Sequence, residues 1–270
     1  MSQALRSASY VLQRFLLGRR VLLAHIPEFG LTLRVPARDV VGRHLYKYRI
    51  HEPGISRYLA RHLALVPDDL VLDVGANIGW YSLLLARIAP AGVAIHAFEP
   101  DPFVHALLQE NIRLNAAALV TPVAAAVGEA PGRARLYLYG DANRGRNSML
   151  PINAGEAIDV EVVSLDDYLR QQADGSRAVG FLKVDVEGYE LFALRGAIDT
   201  LGRCRVVMTE FSPRYMREAG VEPAALLELL AANGFTPRLL GGEAPQPVRS
   251  AELLAGDRHC DLLWERLLRA

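Results

Sequence analysis

Short apolar runs alternate with longer segments of helical periodicity from residue 70 onwards. The runs are rich in β-branched residues and are bounded by Gly, Pro, Asp or Asn, which is typical of strands buried on both faces. The pattern predicts strands over Leu70–Val74, Val93–Phe98, Val120–Val127, Phe181–Val186, Val206–Glu210, Phe235–Leu240 and Asp261–Glu265. Capping residues and periodicity predict helices over 79–89, 101–115, 165–171, 188–201 and 223–232. This order predicts an α/β fold with a mainly parallel sheet and helices on both faces.

Two segments with alternating polar and apolar positions follow the third predicted strand. They are Ala134–Tyr139 and Ile158–Val163, and their alternation predicts the arms of an antiparallel insertion. The loop Gly140–Ser148, rich in Gly, Asn and Arg, joins them. Loops of this kind are most often simply solvated, but Arg and Asn side chains here would suit an oxygen-rich acceptor.

The first 60 residues precede the alternation and are expected to form a cap, with the main domain over residues 61–270. Met1–Ile26 has apolar residues at helical spacing and no acidic residue, and its basic residues are Arg6, Arg14, Arg19 and Arg20. This pattern predicts a basic amphipathic helix. Such a helix packs on the main domain, lies on an anionic membrane surface, or acts as a targeting peptide. No apolar run reaches the ~18 residues that a membrane span needs.

Charge is balanced over the chain but not along it. The 270 residues include 30 basic and 30 acidic side chains, and a net charge of zero argues against nucleic acid as a partner. Residues 1–60 contain ten basic and three acidic residues, so residues 61–270 contain seven more acidic than basic residues. Cys204 and Cys260 are too few for a disulfide framework and are expected to be reduced. We expect a cytoplasmic protein, with peripheral membrane contact through residues 1–26 as an alternative.

A glycine loop follows the first predicted strand, with the sequence Asp73-Val74-Gly75-Ala76-Asn77-Ile78-Gly79. Glycines allow a sharp turn and the close approach of a ligand to the backbone. The next strand ends in Phe98-Glu99-Pro100, which places a carboxylate beside the loop, where it can accept both hydroxyls of a ribose. A nicotinamide or flavin site would need a glycine where Asn77 stands, to admit a pyrophosphate. The pattern favours a ligand with a ribose and a positive charge, as in S-adenosylmethionine.

Three segments together resemble the FkbM-type methyltransferases. They are Val71–Gly79, Phe98–Pro100 and Leu182–Glu190, the last containing the pattern K-x-D-x-E-G as Lys183, Asp185, Glu187 and Gly188. This pattern is the discriminating part, because the glycine loop alone occurs in many methyltransferase families. The resemblance spans about residues 52–235 and includes Asn111, Asn115 and the segment Leu165-Asp166-Asp167.

The resemblance implies a class I (Rossmann-like) fold that uses S-adenosylmethionine, with a seven-stranded sheet whose last strand is antiparallel. It implies that a loop of Asp73, Gly75, Ala76, Asn77 and Gly79 surrounds the methionine moiety. Glu99, followed by Pro100, would hold the ribose, and Ala126 and Val127 would flank the adenine. Members of the family methylate hydroxyls of natural products such as macrolides, and of sugars in glycolipids or surface polysaccharides.

Acidic residues near the end of the fourth predicted strand are candidates for the chemistry. Alternation sends Lys183 and Asp185 to one face, and Asp185 is the first candidate to orient or deprotonate an acceptor hydroxyl, with Glu187 and Glu210 as second candidates. An ordinary carboxylate is a weak base for an alcohol unless desolvation raises its pKa. Lys183 is expected to fix the site through an ion pair with Asp185 or Glu210, although direct contact with the acceptor is the alternative.

No metal is expected to be required, although Asp185, Glu187 and Glu210 offer oxygen ligands that Mg²⁺ would accept. Capping of the following helix is another explanation, and it accounts better for Glu187 than for Asp185. Among the histidines, His51 is placed to line an acceptor pocket, and the others, including His259, are expected at the surface or in packing.

The sequence thus predicts an S-adenosylmethionine-dependent O-methyltransferase that acts on a hydroxyl of a sugar, glycan or secondary metabolite. An N-methyltransferase for a small molecule or peptide would share the donor site and differ at the acceptor. A non-catalytic binding protein with the same fold is a further alternative, which Asp73, Glu99 and Asp185 disfavour. The sequence carries no signal for the oligomeric state.

Overall fold

The computed structural model describes residues 2–140, 142–151, 155–242 and 244–266. Its strands are β1 Val21–Ile26, β2 Leu31–Pro36, β3 Leu70–Val74, β4 Ala94–Phe98, β5 Val120–Val123, β6 Ala126–Val127, β7 Gly132–Tyr137, β8 Ala157–Val163, β9 Val179–Val184, β10 Cys204–Phe211, β11 Phe235–Leu240, β12 Gln246–Pro247 and β13 Cys260–Arg266. Its α-helices are α1 Gln3–Val11, α2 Val40–Tyr48, α3 Pro53–His62, α4 Trp80–Ile88, α5 Pro102–Leu114, α6 Leu165–Arg170, α7 Glu190–Arg195, α8 Ile198–Gly202, α9 Pro213–Glu218, α10 Pro223–Ala232 and α11 Ser250–Leu254. The predicted alternation of strands and helices is confirmed.

The main sheet has the order β12-β11-β13-β10-β9-β3-β4-β5. Neighbours from β10 to β5 are parallel, whereas β13 runs antiparallel to both β10 and β11, as the resemblance implied for the last strand. Over the described residues the sheet has eight strands, so the expectation of seven was wrong. The additional strand is β12, a two-residue edge strand paired with β11, which is too short to leave a hydrophobic pattern.

The central strands β3, β4 and β9 are buried along nearly their whole length, which explains why they read as continuous apolar runs. Two clusters of buried hydrophobic residues cover the opposite faces of the sheet. Because β3, β4, β9 and β10 are parallel, their carboxyl ends meet at one edge, where ligands bind in open α/β sheets. That edge carries the residues singled out from the sequence.

Three predicted elements differ most from the observed ones. The run 120–127 divides into β5 of the main sheet and β6. Strands β7 and β8 form the predicted antiparallel insertion, and β6 pairs with β8, so these three strands make a separate sheet. The predicted helix 188–201 divides into α7 and α8 around Gly196, where a Cβ would lie 2.1 Å from the carbonyl oxygen of Gly128. The strand expected to reach 186 ends at Val184, so Asp185 follows the strand rather than ending it.

The N-terminal segment is only partly helical. In place of a helix over Met1–Ile26, whose first residue lies outside the described part, the chain forms α1, a π-helical turn over Leu12–Leu16 and the hairpin β1–β2. Alternating burial along β1 and β2 fits a strand, because every second side chain enters the core. The cap shares its core with the face of the sheet that carries α4 and α5.

Two asparagines fasten this hairpin to α5. Asn111 Oδ1 accepts a hydrogen bond from the Arg34 N–H at 2.7 Å, and Asn115 Oδ1 accepts one from the Thr32 N–H at 2.9 Å. These two residues belong to the family resemblance, and the structure gives them a role in docking the cap. Among the described residues, no helix combines the length and apolar character that crossing a membrane requires.

Candidate functional site

A cavity of about 580 Å³ opens at the carboxyl ends of the central strands. Its walls come from the glycine loop after β3, the end of β4, the segments after β9 and β10, the insertion and the N-terminal cap. This volume lies within the range of sites that bury a small ligand. All the predicted site residues line the cavity except Asp73 and Gly79.

The glycine loop turns sharply below the cavity and touches the segment after β9. Gly75 has a φ of 78°, and a Cβ there would lie 1.9 Å from the carbonyl oxygen of Asp185. The N–H groups of Gly75 and Ala76 both donate to the carbonyl oxygen of Phe98, at 3.1 and 2.9 Å. The loop is therefore fixed to the ends of β9 and β4 at once, and only glycine fits at position 75.

Glu99 stands at the end of β4 with both carboxylate oxygens engaged by backbone. Oε2 accepts from the N–H of Asn77 at 3.0 Å, and Oε1 accepts from the N–H of Asp101 at 2.9 Å. Burial raises the pKa of Glu99 to about 8, although these two N–H groups act in the opposite direction. The carboxyl group is thus held rigidly at the cavity wall, and each oxygen keeps a further lone pair for a ligand hydroxyl.

Asp73 lies under the glycine loop rather than in the cavity. Its Oδ2 accepts a hydrogen bond from the Ser82 hydroxyl at 2.6 Å, and its Oδ1 lies 3.5 Å from Lys183 Nζ. Gly79 stands directly before α4 with a φ of 91°, and a Cβ there would meet Leu108 at 2.7 Å. Both residues support the loop from behind.

Lys183 connects the two halves of the site. Its side chain is 2% exposed, and Nζ lies 3.1 Å from Asp185 Oδ2 and donates to the Gly75 carbonyl at 3.2 Å. Burial lowers the pKa of Lys183, but the negative charges of Asp185 and Asp73 outweigh burial, and the net pKa is raised. The ammonium therefore stays charged, with Asp185 and Asp73, rather than Glu210, as its ion-pair partners.

An apolar wall borders the cavity on the side of Glu99. Ala126 and Val127 are buried and line the cavity, as does Pro100. Their strand, β6, belongs to the insertion sheet and follows β5, whose last residue, Val123, accepts a hydrogen bond from the Glu99 N–H at 3.0 Å. A flat heteroaromatic ring next to the ribose would find apolar contacts there.

Three carboxylates come together on the other side of the cavity. One oxygen each of Asp185, Glu187 and Glu210 lies within 4.8 Å of the other two, although Glu210 lies on β10 and the other two residues follow β9. Burial, followed by the charge of Asp185, raises the pKa of Glu187 to about 8. Burial and the neighbouring charges of Glu187 and Asp185 raise the pKa of Glu210 well above its usual range. Such a cluster holds protons near neutral pH and can exchange them with a ligand.

Glu187 does not cap the helix that follows it. Glu190 accepts instead, through Oε1, the N–H groups of Val186 and Gly188 at 3.0 and 3.1 Å. Glu187 has a φ of 53°, and its carbonyl accepts a hydrogen bond from the Ser148 hydroxyl at 2.8 Å. A left-handed backbone costs a non-glycine residue about 1–3 kcal/mol, and strain of this kind clusters at functional sites.

His259 is a cavity residue that the sequence did not indicate. Its Nε2 lies 3.3 Å from Glu210 Oε1, and its Nδ1 lies 2.5 Å from the hydroxyl of Ser212. The His259 side chain is 58% exposed, so it joins the buried Glu210 to solvent. The contact depends on the antiparallel pairing of β13 with β10, and no local motif records a pairing between segments so far apart.

The described part of the insertion loop, residues 142–148, covers the cavity. Arg144 Nη1 and Asn147 Nδ2 bind Asp101 Oδ2 at 2.8 and 2.9 Å, and the Arg144 N–H donates to Asp39 Oδ2 at 2.8 Å. The guanidinium of Arg146 lies over the rings of Tyr139 and Tyr215, at 4.6 and 5.1 Å from their centroids. The loop is therefore tied to the cap, to α5 and to α9, and its polar side chains line the opening.

The N-terminal cap supplies the remaining wall. His51 lines the cavity as expected, together with Glu52 and Val41. Glu52 accepts a hydrogen bond from the buried hydroxyl of Tyr81, and Lys183 Nζ lies 5.4 Å from the centre of the Tyr81 ring. The cap and the sheet thus meet behind Lys183.

The carboxylate cluster also has the ligand type of a divalent-cation site. Oxygen ligands about 2.1 Å from Mg²⁺ lie at most about 4.2 Å apart, and the three carboxylate oxygens lie within 4.8 Å of one another, so the cluster has the ligand type and the proximity that such a site needs. That no metal is required stays a prediction.

Comparison with known proteins identifies a family. A family model described as "Methyltransferase FkbM domain" matches residues 73–237. The 31-O-demethyl-FK506 methyltransferase FkbM of Streptomyces tacrolimicus is 32% identical over 243 residues, covering 76% of this chain and 88% of that relative. The 2-O-methyltransferase NoeI of Sinorhizobium fredii is 25% identical, covering 77% of this chain and 84% of that relative. The hexuronic acid methyltransferase AglP of Haloferax volcanii is 27% identical, covering 61% of this chain and 62% of that relative.

Proposed function

Because the chain belongs to the FkbM methyltransferase family and is an S-adenosylmethionine-dependent methyltransferase, we propose that it methylates a hydroxyl of a sugar, glycan or secondary metabolite. One observation carries the proposal: the Asp185, Glu187 and Glu210 cluster faces the same cavity as the glycine loop and Glu99. The names of similar proteins support oxygen as the acceptor atom, since one acts on 31-O-demethyl-FK506 and another is a 2-O-methyltransferase.

The residues on the glycine-loop side fit S-adenosylmethionine. Glu99 offers a carboxyl group for the two ribose hydroxyls, Ala126 and Val127 offer an apolar wall for adenine, and the loop from Gly75 to Asn77 borders the space for the methionine part. The acidic walls suit a ligand that carries a sulfonium. When bound, S-adenosylmethionine supplies an electrophilic methyl carbon and leaves as a neutral sulfide, so the departing sulfur needs no acid.

The chemical work of the protein then concerns the acceptor. A hydroxyl must approach to about 3 Å from the methyl carbon and lose its proton as the O–C bond forms. Asp185, fixed by Lys183, is placed to orient this hydroxyl through a hydrogen bond. Glu187, whose pKa is raised to about 8, takes the proton. Glu210 and His259 continue from this cluster to solvent.

Incubation with isotope-labelled S-adenosylmethionine and a panel of sugar, macrolide and peptide acceptors tests the proposal. The expected product carries the label on an acceptor oxygen, as fragmentation in mass spectrometry would show. Label on nitrogen would assign an N-methyltransferase instead, and no transfer to any hydroxyl would contradict the proposal. A parallel arm with a chelator is expected to retain activity; loss that Mg²⁺ restores would assign the carboxylate cluster to a metal.

A further inference from the structure

Helix α1 and the turn after it are oriented with polar residues inwards. Tyr10 donates its hydroxyl to the Ala37 carbonyl at 2.6 Å, Gln13 donates to the Tyr46 hydroxyl at 2.5 Å, and Arg6 Nε donates to the Lys47 carbonyl at 2.8 Å. A helix that packs on a soluble domain normally turns its apolar side chains to the core. Here hydrogen bonds to α2 and to the chain before it hold the polar face.

The apolar side chains of the same segment face outwards. Leu5 is 60% exposed, Phe15 63% and Leu16 77%, and these belong to an outer face of Leu5, Val11, Leu12, Phe15, Leu16 and Leu17. The described part of the chain has thirteen exposed large hydrophobic residues. Six of them lie between Leu5 and Leu17. A patch so concentrated is a binding surface rather than the scatter of single apolar residues that is normal on proteins.

Basic side chains surround the outer face. Arg14 lies with its guanidinium 4.6 Å from the centre of the Phe15 ring, and Arg19 and Arg20 are exposed directly after the turn. The segment has no acidic residue before Glu28. An apolar face bordered by arginines and free of carboxylates is complementary to lipid tails beneath anionic headgroups.

We propose that residues 2–20 bind in the surface of a membrane that contains anionic lipid, a property additional to methyl transfer. The outer face enters the boundary between headgroups and acyl chains, while Arg14, Arg19 and Arg20 pair with the headgroups. A second copy of the chain is a poorer occupant, because symmetric contact would bring two basic segments together. The nine-residue α1 is too short to span a bilayer, so it lies along the surface.

The outer face lies close to the entrance of the cavity. Arg14, Phe15, Arg38 and Ala142 line one surface depression, and Ala142 begins the described part of the loop that covers the cavity. Helix α1 packs on α2, whose Val40 and Val41 line the cavity itself. Membrane binding would therefore bring the cavity entrance near the lipid headgroups.

Co-sedimentation of the full chain with vesicles tests this proposal. We expect binding to vesicles of phosphatidylcholine and phosphatidylglycerol, at least tenfold weaker binding to phosphatidylcholine alone, and weakening by salt. The double variant Phe15→Glu/Leu16→Glu should bind at least tenfold more weakly, and so should Arg19→Glu/Arg20→Glu. The matched control Leu114→Glu/Ile198→Glu, which changes two exposed apolar residues elsewhere, should bind like the wild type.

Thermal unfolding midpoints establish that each variant folds. If Phe15→Glu/Leu16→Glu does not fold, Arg19→Glu/Arg20→Glu tests the proposal in its place. Equal binding to both kinds of vesicle, or unchanged binding of folded variants in both pairs, would overturn the proposal. Sedimentation velocity provides a further arm: a dimer that Phe15→Glu/Leu16→Glu dissociates, with no vesicle binding by the wild type, would assign the outer face to a second copy. None of these readouts depends on methyl transfer, so the two proposals fail separately.

Discussion

Individual carboxyl groups differ in this cavity because their neighbours differ. Asp185 has Lys183 at 3.1 Å, whereas Glu187 is half-buried beside the charges of Asp185 and Glu190. A buried carboxyl group next to like charges keeps its proton to higher pH, because ionisation would add a charge where water cannot screen it. In the proposed mechanism the two carboxyl groups therefore have different roles: Asp185, bound by Lys183, orients the hydroxyl, and Glu187, with its raised pKa, accepts the proton.

The pH dependence of methyl transfer follows from Glu187. Its pKa of about 8 means that it is mostly protonated at pH 7 and can accept a proton only as the pH rises. At saturating donor the single-turnover rate should rise about tenfold from pH 7 to pH 9. In Glu187→Gln the rise should disappear and the rate at pH 9 should fall by about 10²-fold or more. Glu161→Gln, at an exposed position on β8, is the control, and a flat wild-type profile would exclude Glu187 as the base.

Donor affinity is the readout for Glu99. Glu99→Gln keeps the shape of the side chain but replaces one acceptor oxygen by an amide NH₂ group, so S-adenosylmethionine should bind about 10- to 100-fold more weakly. Titration calorimetry measures this directly. The exposed Glu129→Gln, outside the cavity, should leave the affinity unchanged. An affinity for Glu99→Gln equal to that of the wild type would remove the ribose assignment.

At the scale of elements, the site depends on how closely the ends of β3 and β9 approach. The carbonyl of Asp185 occupies the space where a Cβ of residue 75 would stand, and the Asp185 N–H donates to the Val74 carbonyl at 3.1 Å. Lys183 binds both segments from below. The glycine loop and the segment that carries Asp185 and Glu187 are therefore in direct contact, because a glycine at position 75 permits it.

Gly75→Ala should separate these two strand ends. The methyl group would overlap the Asp185 carbonyl and the backbone would keep a strained positive φ, so the free energy of unfolding should fall by roughly 1–3 kcal/mol. Donor binding should fall as well. Gly202→Ala is the matched control, because a Cβ there meets nothing within 4 Å, and it should be neutral or slightly stabilising. Chemical denaturation compares the two, and equal stabilities would contradict the close contact.

On the scale of the whole molecule, acidic side chains are gathered inside the fold. Besides the carboxylates of the cavity, Asp261 on β13 has a pKa raised to about 8 by burial and by the charge of Glu52. In the unfolded chain an Asp loses its proton near pH 4. A raised folded pKa contributes stability that is fully present below the unfolded pKa and is lost as the pH rises through 8. Charge that suits a sulfonium ligand therefore weakens the ligand-free fold at alkaline pH.

Asp261→Asn isolates one part of this effect. At pH 4 the free energies of unfolding of the variant and the wild type should differ by less than about 1 kcal/mol, because Asp261 is neutral in the folded protein and about half protonated in the unfolded chain. At pH 8.5 the variant should be more stable by roughly 1–3 kcal/mol. Denaturant titrations at the two pH values measure the difference, with the exposed Asp159→Asn as control. A gain that is the same at both pH values would show that Asp261 does not titrate as described.

Much of the fold could be read from the sequence because its strongest signals are local. Strands β3 and β11 have the predicted bounds, β3 because it is a buried apolar run, and α10 is marked by proline at its start and glycine after its end. Boundaries failed where tertiary contacts decide them, as at Gly196, whose packing against Gly128 divides a predicted helix. The two-residue β12 failed because its pairing, rather than its composition, makes it a strand.

By itself, the sequence determined the order of strands and helices, the glycine loop with Glu99, and the Lys183–Asp185 pattern, since hydrophobic periodicity and turn residues act over a few positions. Only the tertiary structure decided that Glu210 meets His259, that Asp73 supports the loop from behind, and that the arginine-rich insertion covers the cavity. It also decided that the amphipathic N-terminal helix turns its apolar face outwards. These outcomes depend on which surfaces, far apart in the sequence, pack together. Hydrophobic periodicity predicts that an element has an apolar face and a polar face, but it does not predict what either face packs against.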